Sequence, residues 1–105
     1  MTTNNNIGRT ILAQLGNGTL YMLGAKNIVL IEGGVKFKIG RNSKSVNLVT
    51  ITLDPSDTYN VEFGRLAKKR GEFVPSYTKK SEALGVYVDS LHATIEEHTG
   101  LYTKI

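Results

Sequence analysis

The chain has 105 residues, a formal net charge of +4 and no cysteine. This length predicts a single domain with its own hydrophobic core. The absence of thiols excludes disulfides, zinc–thiolate sites and a cysteine nucleophile, and apolar runs such as Ile28 to Ile31 are far too short to span a membrane.

The N-terminal stretch MTTNNNIG is polar and lacks the basic and apolar regions of a signal peptide. It predicts a flexible tail over residues 1–8, followed by one domain over residues 9–105. The next stretch, TILAQLG (10–16), fits one face of a short helix ended by Gly16. It also alternates well enough for a strand, and of the two we favour the short helix.

Turn-forming residues then separate a series of β-rich runs. Gly33-Gly34 predicts a two-residue hairpin turn, and Asp54-Pro55 predicts a type I turn. Pro75 removes a hydrogen-bond donor from its run, which favours an edge strand. The predicted strands cover residues 19–23, 27–32, 35–39, 46–53, 58–66 and, more weakly, 72–77.

Apolar residues recur at helical spacing near the C-terminus, and Gly100 follows as a stop. The recurring residues are Leu84, Tyr87, Val88, Leu91, Ile95 and His98, and they predict an amphipathic helix over residues 87–99. The predicted fold class is therefore α+β: an antiparallel β-meander of about five strands, with the C-terminal helix packed on one face and a short N-terminal helix. The other face of the sheet is expected to be polar and solvated.

Two segments concentrate the positive charge. Residues 36–44 hold four bases and no acid, and residues 65–80 hold six bases against Glu72 alone, whereas the predicted C-terminal helix is acidic. If the loops over 40–45 and 67–71 lie near each other, they form one cationic surface suited to a nucleic-acid backbone. The alternative is that both are solvated loop tips that keep the protein soluble and protect the sheet edges.

The cationic-surface interpretation names nine candidate contact residues. Basic side chains would contact phosphates, two lysines would line a groove, and an exposed tyrosine would stack on a base. The predicted phosphate contacts are Arg41, Lys44, Lys68, Lys69 and Arg70, the groove residues are Lys36 and Lys38, and the stacking residues are Tyr21 or Tyr77.

No constellation in the sequence predicts catalysis. The oxygen-bearing stretch DPSDTYN (54–60) does not have EF-hand spacing and is explained by a turn. His92 and His98 are six residues apart on the predicted helix and point to different sides. The carboxylates of Glu96 and Glu97 diverge by about 100° on a helix and cannot flank one reacting bond. We therefore predict a protein that is not an enzyme and has no metal or cofactor.

Three segments resemble a family of small, mostly uncharacterised bacteriophage proteins. These segments are TILAQLGNGTLYMLGAKN, ITLDPSDTYNVEFGRL and GVYVDSLHATIEEHTGLYT, with the shared features ILAQLG, GAK, DxYxVEF and TGLYT. The resemblance covers most of the chain and implies a phage context rather than an activity. Separately, strands followed by a helix are similar in outline to the single-stranded-DNA-binding coactivator and Whirly folds, which is an analogy of topology alone.

These observations predict a small phage protein that binds nucleic acid, single-stranded DNA above all, through its basic loops and sheet face. It would act as a homo-oligomer in the host cytoplasm, without a membrane partner. The alternative prediction is an accessory protein that binds a host protein or a small signalling molecule to counter host defence, using the acidic helix and the C-terminal GLYTKI (100–105). A structural component of the virion is a third hypothesis.

Overall fold

The computed structural model describes residues 5–68, 70–71 and 73–101. Within these residues, two helices precede five strands, and a third helix follows them after one 3-10 turn at Val88–Ser90. The elements are α1 (Asn5–Leu15), α2 (Asn17–Leu23), β1 (Lys26–Ile31), β2 (Gly34–Lys38), β3 (Leu48–Leu53), β4 (Tyr59–Ala67), β5 (Ser76–Val86) and α3 (Leu91–Thr99).

The strands form one antiparallel sheet in the order β1-β2-β3-β4-β5, which confirms the predicted α+β meander. Each strand therefore pairs with its neighbours along the chain. The pairing of β1 with β2 is irregular between Lys26 and Val29, where Asn27 adopts a positive φ of 53°. The pairing of β4 with β5 shifts register twice, between Tyr59 and Val61 and between Phe63 and Gly64. Both outer strands are thus bulged.

One face of the sheet carries the hydrophobic core, because apolar residues alternate along the central strands. Val35 and Phe37 of β2 are fully buried, as are Val61 and Phe63 of β4. The helices cover this face, with Ile11 of α1 and Leu91 and Ile95 of α3 belonging to the same core cluster. The predicted packing of the C-terminal helix on one face is confirmed.

Close contacts fix the helices against this face. A Cβ at Gly8 of α1 would lie within 2.7 Å of the Leu30 side chain and would also collide with the main chain of Gly34, so glycine permits the approach. The two outer helices are joined by His92, whose Nε2 lies 3.0 Å from the Leu15 carbonyl oxygen and donates to it. At the other end of α3, His98 Nδ1 lies 2.8 Å from Ser81 Oγ, and its ring stacks on Phe63 at 4.6 Å.

Four predicted elements differ from the structure. The strand predicted over 72–77 is largely wrong, because β5 begins at Ser76 and continues to Val86. The predicted strand over 19–23 is wrong, because these residues form α2, which buries Thr19 and Leu23 four positions apart and ends at Gly24 in the left-handed region. The predicted helix over 87–99 begins too early: α3 starts at Leu91, and the preceding chain continues β5 as far as Val86, which pairs with Tyr59. The turn between β1 and β2 is formed by Glu32 and Gly33 rather than Gly33-Gly34.

The N-terminal helix is present and longer than expected. It begins at Asn5, inside the segment assigned to the tail, and Gly16 follows it with a φ of 86°. The Asp54 turn is confirmed, because the Asp57 N–H donates to the Asp54 carbonyl oxygen at 3.0 Å. Among the helices that the structure describes, none is long and apolar enough to cross a membrane.

Candidate nucleic-acid interface

The strand directions separate charge between the two ends of the sheet. The β2–β3 and β4–β5 connections leave the sheet at one end, because these strands are antiparallel neighbours. The β1–β2 and β3–β4 turns lie at the opposite end and contribute Glu32, Asp54 and Asp57. We use the name basic end for the cations around the first pair of connections: Arg41, Lys44, Arg65, Lys68, Arg70 and Lys80.

Asn42 organises the β2–β3 loop. Its Oδ1 accepts hydrogen bonds from the N–H groups of Lys44 and Val46, both at 3.1 Å. Its Nδ2 donates to the carbonyl oxygen of Gly40 at 2.9 Å and to that of Val46. One amide therefore satisfies four main-chain groups of the loop, which fixes the backbone that presents Arg41 and Lys44.

Asn47 joins this loop to the end of β4. The Leu66 N–H donates to Asn47 Oδ1 at 2.7 Å, and Asn47 Nδ2 donates to the Leu66 carbonyl oxygen at 2.8 Å. The side-chain amide of Asn47 thus pairs with the main chain of Leu66 in the way that a strand residue would. Asn47 lies one residue before β3, which begins at Leu48. It holds the two basic connections next to each other.

Three cations line one pocket at the basic end. Arg41 from the loop, Arg65 from β4 and Lys80 from β5 surround a volume of about 610 Å³, together with polar residues that include Asn42 and Asn47. None of the described residues that line this pocket is acidic. Among the described residues, none of the three cations forms an ion pair. Two guanidinium groups and an ammonium without a counter-ion favour an anionic ligand such as phosphate.

A second, smaller pocket adjoins the first and shares Lys80 with it. Lys44, Ser81, Glu97 and His98 also line it. The carboxylate of Glu97 therefore brings a negative charge from α3 to the basic end. The acidic residues of the helix are not all separated from the basic loops. The first pocket is therefore the more cationic of the two.

The β4–β5 turn carries the remaining predicted phosphate contacts. Lys68 and Arg70 are exposed there, and Lys69 lies outside the described residues. Phe73 follows in the same turn and is 94% exposed. Tyr21 on α2 is also largely exposed, and α2 reaches the basic end because the Gly40 N–H donates to the Leu23 carbonyl oxygen at 2.8 Å.

Lys36, Lys38 and Tyr77 lie elsewhere, on the face of the sheet that the helices leave uncovered. We call this the open face. The three residues line a shallow groove of about 480 Å³, with Val29, Leu48 and Leu66 among its apolar walls. The structure therefore does not bring these candidates together with Arg41 and Lys44, because alternation along β2 sends Lys36 and Lys38 away from the helices.

Tyr77 is fixed within the open face. Its hydroxyl donates to Glu62 Oε2 at 2.6 Å, and its ring covers Gly64, where a Cβ would collide with it. Burial and the neighbouring Glu62 carboxylate raise the pKa of Tyr77 well above its usual range. One face of the ring is occupied by Gly64, so Tyr21 and Phe73 are the more accessible aromatic side chains.

Sequence reasoning did not assign Arg65 and Lys80 to the site, although both belong to the second basic segment. Alternation with Phe63 places Arg65 on the helix side of β4, which the sequence could have indicated. The side taken by Lys80 depends on the bulge opposite Phe63 and Gly64, which shifts the register of β5. No sequence signal announces that bulge.

The other polar clusters among the described residues form no candidate catalytic or metal site. Ser56 donates to Asp54 Oδ2 through its hydroxyl at 2.7 Å and through its N–H at 3.1 Å, and these hydrogen bonds hold the pKa of Asp54 below its usual value. Within the described part of the chain, no three His, Asp or Glu residues are grouped so that they could hold a metal ion.

No protein-family model matches the chain, and neither a curated protein nor a solved structure matches it. The resemblance to small bacteriophage proteins stays a prediction.

Proposed function

We propose that this protein binds nucleic acid without catalysis and holds the phosphate backbone at its basic end. The observation that carries the proposal is the pocket of Arg41, Arg65 and Lys80, where the described part of the chain contributes three cations and no acidic residue to the lining. Lys68 and Arg70 extend the positive charge along the β4–β5 turn. A row of cations on neighbouring connections is what a polyanion requires, since several phosphates can be contacted at once.

The proposed ligand is single-stranded DNA. Bases of a single strand can stack on exposed aromatic side chains, whereas the bases of a duplex are already stacked. Phe73 and Tyr21 are both exposed and belong to elements that reach the basic end. If the resemblance to small bacteriophage proteins holds, this binding would take place in the host cytoplasm.

The alternative prediction, binding of a host protein or a small signalling molecule, gains no specific support. Its proposed surface combines the acidic side of α3 with residues 100–105, of which 102–105 lie outside the described residues. On α3, Glu97 lines a pocket with Lys44 and Lys80. We therefore develop the nucleic-acid proposal alone.

A titration of a labelled oligonucleotide, followed by fluorescence anisotropy at several salt concentrations, tests the proposal. We expect the logarithm of the affinity to fall linearly with the logarithm of the salt concentration, and single-stranded DNA to bind more tightly than the duplex of the same sequence. A flat titration, or binding that does not depend on salt, would overturn the proposal.

Two adjacent lysines supply a matched pair of variants. Lys80 lines the cationic pocket, whereas Lys79 lies 2.8 Å from Glu82 in an ion pair. We expect Lys80→Ala to weaken binding and to reduce the salt slope by about 0.7, the contribution of one phosphate contact on a single strand. Lys79→Ala removes the same charge outside the pocket and should leave the slope unchanged. Equal losses in both variants would show that only net charge matters.

A further inference from the structure

The open face carries a charge pattern that the proposed function does not use. The strand registers align five residues in one row across the sheet: Val29, Lys36, Thr50, Glu62 and Glu82. The lysine lies on β2, the two glutamates lie on β4 and β5, and Thr50 of the central strand separates them. Within this row, positive charge therefore lies on β2 and negative charge on β4 and β5. Lys79, which is ion-paired with Glu82, adds one positive charge on the β5 side of the face.

Like charges are adjacent in this row, which costs free energy in an isolated sheet. Glu62 and Glu82 are direct cross-strand partners, and such pairs are destabilising. Tyr77 occupies Oε2 of Glu62, and Lys79 pairs with Glu82 Oε1. Among the described residues, none donates to Glu62 Oε1. That oxygen can accept a hydrogen bond from outside the chain.

The pattern is complementary to itself under a two-fold rotation. An axis parallel to β3, running between two facing sheets, places β2 of one copy over β4 of the other and β1 over β5. Lys36 of each copy then faces Glu62 of the other copy. An axis perpendicular to the strands would instead place each of these side chains against its own equivalent, with like charges in contact.

Apolar residues follow the same symmetry. Ile31 pairs with Gly34, which aligns through Thr52 with Asn60 on β4. Leu84 of β5 is 67% exposed and lines a pocket with Thr52 and Asn60, so it lies in this second row. The rotation about the β3 axis brings Leu84 of one copy over Ile31 of the other.

We propose that two copies of this chain associate through their open faces, about a two-fold axis parallel to β3. The occupant of the open face is thus a second copy of this chain, because the positive and negative parts of the row are complementary in charge under the two-fold rotation. Five strands about 4.8 Å apart and some six residues long give a face on the order of 500 Å². Standard interfaces bury about 800 Å² per partner, so the dimer should depend on concentration.

The arrangement places the basic ends of both copies side by side, because rotation about an axis along the strands does not exchange the ends of the sheet. This proposal does not rest on nucleic-acid binding, and its test contains no nucleic acid. Failure of one proposal therefore leaves the other standing.

Sedimentation velocity of two charge-reversed variants tests the dimer. Lys36→Glu/Lys38→Glu gives the β2 half the same negative sign as the Glu62 and Glu82 half, and Glu62→Lys/Glu82→Lys gives the β4–β5 half the same positive sign as the lysines of β2. We expect the unaltered protein to dimerise as its concentration rises to about 1 mM, and each variant alone to remain monomeric. A one-to-one mixture of the variants should recover the dimer, because each acidic half again meets a basic half.

Two controls keep the outcome clear. Arg41→Glu/Lys44→Glu makes the same change in net charge as the first variant but lies off the open face, so it should still dimerise. If Glu62→Lys/Glu82→Lys fails to fold without the Tyr77 hydrogen bond, Thr50→Arg replaces it, because two such arginines would meet near the axis. A monomer at about 1 mM for the unaltered protein, or a mixture that does not associate, would overturn the proposal.

Discussion

The two faces of the sheet differ in composition and burial although they share the same five strands. On β2, Val35 and Phe37 face the helices and are fully buried, whereas Lys36 between them is exposed on the open face. A period of two residues is enough to separate the residues that stabilise the fold from those that face solvent. We therefore expect substitutions on the covered face to change the free energy of unfolding, and substitutions on the open face to change association.

The largest effect should come from neighbouring residues on opposite faces of β2. Phe37→Ala removes a fully buried ring and should lower the free energy of unfolding by about 3–5 kcal/mol in urea denaturation. Lys38→Ala should change it by less than about 0.5 kcal/mol. If Phe37→Ala does not fold, Phe37→Leu should cost about 1–1.5 kcal/mol. Similar costs at the two positions would contradict the assignment of the faces.

The next effect concerns the structured part of the open face. Gly64→Ala would drive a methyl group into the Tyr77 ring, which the hydrogen bond to Glu62 holds in place. We expect a loss of about 2 kcal/mol in the free energy of unfolding. In a Tyr77→Ala background the same substitution should cost nearly nothing, since the obstacle is gone.

A double-mutant cycle of Gly64→Ala and Tyr77→Ala measures this coupling, which we expect to be on the order of 1–2 kcal/mol. Additive losses in the free energy of unfolding would mean that the Tyr77 ring moves aside freely. The open face would then tolerate added volume better than the covered face, even where it is packed.

We expect a smaller loss of stability from a substitution at the end of β4, which extends past the start of β3. Asn47→Ala removes both hydrogen bonds to Leu66 and should cost about 1 kcal/mol. The Leu66 amide should then exchange its hydrogen faster, as hydrogen-exchange NMR can show. Asn47→Asp keeps an acceptor for the Leu66 N–H but loses the donor, so it should protect that amide better than Asn47→Ala does.

The smallest effect belongs to the acidic turn at the far end of the sheet. Hydrogen bonds from Ser56 lower the pKa of Asp54 in the folded chain below the ordinary value of 3.8. Ionised Asp54 therefore stabilises the fold above that ordinary value, and this contribution is lost as the pH falls through the lowered pKa. The Tm of Asp54→Asn should lie slightly below that of the unaltered protein at neutral pH, and the difference should shrink in acid. A difference that grows in acid would contradict this assignment.

The central part of the fold was predictable because periodicity and turn residues agree there. The alternation of Val35, Phe37 and Ile39 and the Asp54-Pro55 turn each admit one interpretation. The strand predicted over 19–23 was wrong because a run of five residues fits the periodicity of a strand and that of a helix. In the structure these residues form a helix flanked by Gly16 and Gly24, which both have a positive φ. The strand predicted over 72–77 failed for a different reason: β5, which runs from Ser76 to Val86, is mostly exposed, so its side chains carry little hydrophobic signal.

For the candidate site, the sequence predicted which connections lie at the same end of the sheet, but not which side chains meet there. In a meander, alternate connections share an end of the sheet, so the meeting of the β2–β3 and β4–β5 connections follows from the predicted strand order. Lys36 and Lys38 were grouped with those loops because they are near in sequence, although strand alternation turns them to the open face. Lys80 joins Arg41 and Arg65 through a bulge whose position depends on tertiary packing.

The bulges in both outer strands limit how this sheet can grow. An open sheet offers unpaired N–H and C=O groups along its two edges, and a regular edge can template another strand and propagate into fibres. Here Asn27 disrupts β1, two register shifts disrupt β5, and Lys79 and Lys80 add charge to that second edge. Strand addition is therefore disfavoured at either edge of the sheet. The proposed pairing of two open faces would not extend the sheet, because its two-fold symmetry is complete with two copies.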